Sequence, residues 1–133
     1  MKSSYASPTT TRQARLERLR SGRAAAQVVG AAFPLVRQLR LDLSFEAAER
    51  TTIASQTHVM HPPSQAFFEF PCPFSACDGR FDLAAAVAAV IGGNASEFRG
   101  VLECSGLRAR DHEGKQPCRA RLTYTITASY QPE

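Results

Sequence analysis

Leu39, Leu41, Leu43 and Phe45 alternate with Gln38, Arg40, Asp42 and Ser44, the two-residue period of a β-strand that buries one face. Over residues 120–130, Leu122, Tyr124, Ile126, Ala128 and Tyr130 alternate in the same way with Arg121, Thr123, Thr125, Thr127 and Ser129. Two shorter segments read as further strands: 66–70 (AFFEF), with Ala66, Phe68 and Phe70 on one side, and 98–104. The polar stretch 46–65, with His58, His61, Pro62 and Pro63, reads either as a hairpin arm or as an ordered loop.

Helical spacing occurs in two places. Asp82 is placed to cap a run over 83–91 in which Leu83, Val87, Val90 and Ile91 share a face, and Gly92-Gly93 supplies the stop. From Thr11 onward the residues are good helix formers, with Leu16 and Leu19 three apart and Arg12, Arg15 and Arg23 available to the other sides. Gly22 and Gly30 weaken that helix, and Pro34 ends it near Phe33. Residues 1–10, rich in Ser, Thr and Pro and without periodicity, read as a disordered start. The order is thus an N-terminal helix or arm followed by β-β-α-β-β. It predicts an α+β fold with a four-stranded, mostly antiparallel sheet and one covering helix. The sheet's open face would carry Arg40, Arg99 and Arg121 among Asp42, Glu69 and Glu103, a mixed and solvated surface.

A chain of 133 residues has room for one core. Residues 1–32 are read as a basic arm or helix, and 33–133 as a single domain. Charge sharpens this division. Residues 1–24 hold Lys2, Arg12, Arg15, Arg18, Arg20 and Arg23 against Glu17 alone, so of the formal charge of +4 that segment carries +5 and the body −1. A basic arm is attracted to acidic surfaces such as nucleic acid, although a solubilising tail would carry the same charge. The longest weakly polar run, 24–33 (AAAQVVGAAF), spans ten residues and includes Gln27. A membrane-spanning helix needs about 20, so no membrane crossing is expected. The start, MKSSYASPTTTRQARLERLRSGR, lacks the apolar core of a secretory signal, and the chain is read as cytoplasmic.

The chemistry concentrates in four cysteines, each at the end of a predicted strand: Cys72 and Cys77, separated by four residues in Phe-Pro-Cys-Pro-Phe-Ser-Ala-Cys-Asp-Gly, then Cys104 in Cys-Ser-Gly, and Cys118. A turn of that length can aim two thiolates at one metal, and Gly79 permits backbone geometry in which amide N–H groups approach the sulfurs. In a reducing compartment an even set of cysteines points to metal before disulfides; disulfide pairs and four separate buried thiols are the alternatives. A site in which His61 or His112 replaces one cysteine is a further variant. The segment 70–120 resembles the zinc-ribbon and zinc-knuckle proteins, on Cys72-Pro73, Cys77-Asp78-Gly79 and Cys104-Ser105-Gly106. It departs from them in having four residues inside the first pair and thirteen inside the second. The cysteine pattern also resembles that of an uncharacterised bacterial family, which implies no function. The expected cofactor is Zn2+, held by all four cysteines and closed to water, a staple and not a catalyst.

Enzymatic motifs do not emerge. Pro71-Cys72 has no preceding His-x-Glu, as zinc deaminases require, and there is no phosphate loop, G-x-S-x-G or H-E-x-x-H. Asp111-His112-Glu113 lies among Arg108, Arg110 and Lys115 and reads as an exposed polar loop. The sequence therefore suggests a non-enzymatic module that contacts nucleic acid or a nucleoprotein complex through Arg12, Arg15, Arg18, Arg20 and Arg23, helped by Arg108 and Arg110. With no Trp and only Phe67 facing away from the predicted core, such contact would be electrostatic and tolerant of sequence. The alternative is a protein-interaction adaptor that docks by its arm or by an exposed sheet edge.

Overall fold

The structure, a computed structural model, describes residues 8–74, 77–110 and 114–132, with side chains at 13–74, 77–107 and 117–132. In chain order its elements are α1 (Pro8–Ala25), α2 (Val29–Ala32), β1 (Val36–Glu46), β2 (Thr52–Met60), β3 (Glu69–Pro71), β4 (Arg80–Asp82), α3 (Ala84–Gly92), β5 (Glu97–Glu103), β6 (Leu107–Arg110), β7 (Gly114–Pro117) and β8 (Arg121–Tyr130).

The two long alternating segments become the central strands of an antiparallel sheet with the order β2-β1-β8-β5. Register places Leu39 against Ala128, Leu41 against Ile126, Leu43 against Tyr124 and Phe45 against Leu122. All eight are buried. Because burying one large apolar side chain contributes roughly 1.5–3 kcal/mol, this pair of strands anchors the core.

The class is α+β with a four-stranded antiparallel sheet, as the pattern predicted, but one strand differs from expectation. The fourth member is β2, from the stretch 46–65 whose form the sequence left open. Its core-side residues Ala54, Gln56, His58 and Met60 lie opposite Phe45, Leu43, Leu41 and Leu39. Gln56 and His58 interrupt the alternation, and an edge strand tolerates them because its inner face is only partly covered. In segment 66–70, Phe68 and Phe70 are buried together as their spacing predicted. Only Glu69–Pro71 enters a ladder, however, and its partner is β4 in a separate two-stranded hairpin.

The covering helix is α3. The Asp82 carboxylate accepts the Ala84 N–H at 2.9 Å, Leu83, Val87 and Val90 are buried, and the helix ends at the glycine pair. The N-terminal segment differs more. Among the described residues α1 includes Pro8–Thr10, inside the stretch read as disordered. It stops at Ala25, before the Pro34 that was expected to end it. Val28 then bridges Gln65, and the Val29 and Gly30 N–H groups donate to the carbonyls of Ser64 and Pro62 at 2.7 and 2.9 Å. Leu19 and Val29 are buried. Gly22 rests against Phe67, and the Arg23 guanidinium lies 5.4 Å from the centre of the same ring. Residues 13–32 thus pack against the rest of the chain at Leu19, Gly22, Arg23, Val29 and Gly30.

Candidate metal centre

Two hairpin ends meet to form the site. β3 and β4 bracket the loop 72–79, and the Cys72 N–H donates to the Gly79 carbonyl at 3.1 Å across its neck. On the other side, β5 and β8 continue past their ladder: the Cys104 N–H donates to Ala120 O at 2.9 Å, and the Cys118 N–H to Gly106 O at 3.0 Å. Beyond that point β6 and β7 form a further hairpin, in the region the sequence suggested was loop. The two ends are tied together by Asp78, whose N–H donates to Leu107 O at 3.1 Å and whose carboxylate accepts the Leu107 N–H at 2.7 Å.

All four cysteines are buried, and their sulfur atoms lie within 4.8 Å of one another. Two of the separations join opposite hairpins: Cys72 to Cys118 at 3.7 Å and Cys77 to Cys104 at 3.6 Å. These are far longer than the S–S bond of about 2.05 Å, and the cysteines are free thiols. They approach the edge of about 3.8 Å expected for four sulfurs held tetrahedrally about 2.3 Å from one ion. Four buried cysteines so arranged could hold a metal ion.

The glycines make this closeness possible. The Gly79 N–H donates to Cys77 Sγ at 3.2 Å, and the Gly106 N–H to Cys104 Sγ at 3.4 Å, so each Cys-x-Gly turn offers one amide to its own sulfur. The two turns also face each other. A Cβ on Gly79 would collide with Cys104 Sγ, and one on Gly106 with the Gly79 backbone. Electrostatics point the same way. The Cys104 thiol is pulled down to about 4 by its interaction with Cys72 and then Cys77. Cys72 is pushed far up by Cys104, then by Cys77 and by burial, and Cys77 is pushed up chiefly by Cys104. Without a cation, then, a thiolate here is stabilised at the expense of its neighbours. A divalent ion held here would remove that competition by balancing several thiolates at once.

Arg15 is the residue whose place the sequence did not reveal. It was expected on an outer face, but it is 3% exposed, and its Nη1 donates to the Cys77 carbonyl and, at 3.5 Å, to that of Gly79. The signal was present in the spacing: Arg15 lies four residues before Leu19, so the two share a helix face. Arg18, Arg20 and Arg23 are exposed. The side chains of Arg12, Arg108 and Arg110 lie outside the described residues, as does the whole of 111–113 with His112. His61 is exposed and stands apart from the sulfur cluster. Phe67 is half-buried beneath α1 and Arg23, which removes the one aromatic surface the sequence offered to a nucleobase.

Fold and site together define an α+β protein with a buried four-cysteine centre suited to a metal. No family model matches the chain, and no curated protein or solved structure matches it. Among the described residues no helix is long and apolar enough to cross a membrane.

Proposed function

We propose that this chain is a non-enzymatic cytoplasmic module stapled by one structural zinc ion on Cys72, Cys77, Cys104 and Cys118, and that the solvent face of α1 contacts nucleic acid or a nucleoprotein surface. The observation that carries the reading is the sulfur cluster, whose separations of 3.6 and 3.7 Å across the two hairpins fit a tetrahedral four-thiolate site. Four protein ligands leave no position for water or substrate, so the ion holds two hairpins together instead of activating a nucleophile. The zinc-ribbon resemblance fits this arrangement, in which each of two turns places an amide on its own sulfur.

The polyanion contact rests on Arg18 and Arg20, which stand exposed on a helix with no acidic residue in its first turn. Arg15 is engaged inside and contributes no phosphate contact. Replacing Arg18 and Arg20 together with Glu should lower affinity for a single-stranded oligonucleotide at least about tenfold and reduce the salt dependence of binding by one to two phosphate equivalents. Unchanged affinity and salt slope would overturn the contact and favour the adaptor reading, in which the free edge of β2 or β5 pairs with a protein strand.

A further inference from the structure

We infer that Arg15 makes the docking of α1 conditional on the metal: the guanidinium is the buried counter-charge of the metal–thiolate cluster, and losing the ion releases the helix. The inference rests on the metal-site reading above. A guanidinium this deeply buried needs a compensating negative charge, since an unbalanced ion in a protein interior is strongly destabilising. Among the described residues no carboxylate pairs with Arg15. Its acceptors are two carbonyls, and its Nε has no partner. Of the carboxylates that line the same cleft, Glu69 pairs with Arg80 at 3.1 Å and Asp78 accepts the Leu107 N–H. Four thiolates around a divalent cation carry a net charge of −2, and that is the missing partner.

The connection is direct. The peptide 77–79 offers its Gly79 N–H to Cys77 Sγ on one side and its carbonyls to Arg15 on the other. Arg15 is therefore bonded to the loop that carries a ligand and fixes where that sulfur points, as partners of metal ligands commonly do. With the ion bound, α1 is held down, Leu19 is buried and Phe67 is covered. With the ion removed, the loop 72–79 loses the tie that fixes its Cys77 and Gly79 carbonyls, and undocking returns Arg15 to water. Metal occupancy would in this way set whether Arg18, Arg20 and Arg23 are presented from a fixed helix or from a loose segment.

The test uses the full chain, reduced and zinc-loaded, with metal content measured first. Hydrogen exchange is followed in α1 and in β1 and β8, together with the rate of zinc transfer to a chromogenic chelator. In Arg15→Met, the α1 amides should lose protection while β1 and β8 keep theirs, and zinc transfer should quicken about 10- to 100-fold. Arg15→Lys, which keeps the charge, should fall between. Wild-type protection of α1 and an unchanged transfer rate in Arg15→Met would overturn the inference. Should that variant not fold, the wild type decides it: on chelation α1 must open before the central strands, and an α1 that stays protected after zinc has left refutes the latch. A wild type that binds no zinc at any stage instead defeats the metal-site reading itself.

Discussion

Gly106 and Gly79 show how little room the site leaves. Each would place an added Cβ against the opposite turn, at Gly106 against backbone that cannot swing aside. Gly106→Ala is expected to cost about 1–3 kcal/mol in stability, read as a lower midpoint in denaturant, because it forces apart two turns that are cross-bonded through Asp78 and Leu107. A second residue controls behaviour in acid. His58, packed 4.8 Å from the Phe70 ring, is held below its ordinary value of 6.5 by burial first and by Arg23 second. The folded chain resists a proton that the unfolded chain accepts, so its contribution is present above pH 6.5 and is lost as pH falls through the folded value. His58→Gln should therefore lose less melting temperature than the wild type between about pH 7.5 and 5.5. Equal slopes would show that His58 plays no part.

At the level of elements, what the sequence made legible depended on how completely an element buries one face. β1 and β8 announce themselves because every second residue is apolar and buried, from Leu39 to Phe45 and from Leu122 to Ala128. β2 stayed ambiguous because an edge strand admits Gln56 and His58 on its inner side. The hairpin β6–β7 carries Arg108, Lys115 and Gln116 and has no apolar period to detect. α1 was legible as a helix but not as a docked one, since its contact face is built from Arg15, Leu19 and Gly22 instead of a full apolar stripe. The sequence alone set the domain at 33–133, so that a chain without residues 1–32 would fold unaided. The structure predicts otherwise, because such a chain loses Leu19, Val29 and the hydrogen bonds to Ser64 and Pro62. Its melting temperature should fall by at least about 5 °C, given that one buried Leu removed commonly costs 2 kcal/mol or more. Unchanged melting would show α1 and α2 to be independent of the body.

Across the whole molecule, the four cysteines were legible as a set because the pattern put each at the end of a predicted strand, while their convergence depends on long-range pairing that no local spacing encodes. Cys72 meets Cys118, 46 residues away, and Cys77 meets Cys104, 27 away, only because the β3–β4 hairpin folds against the point where β5 and β8 diverge. Sheet, hairpins and N-terminal helix all adjoin this centre. The central claim is that one zinc ion holds it, and the most direct measurement is X-ray absorption at the zinc edge on protein purified under reducing conditions. The account predicts one zinc per chain with four sulfur neighbours at about 2.3 Å and no nitrogen or oxygen ligand. A chain without zinc, one that holds iron instead, or a shell that mixes sulfur with imidazole or water would contradict it.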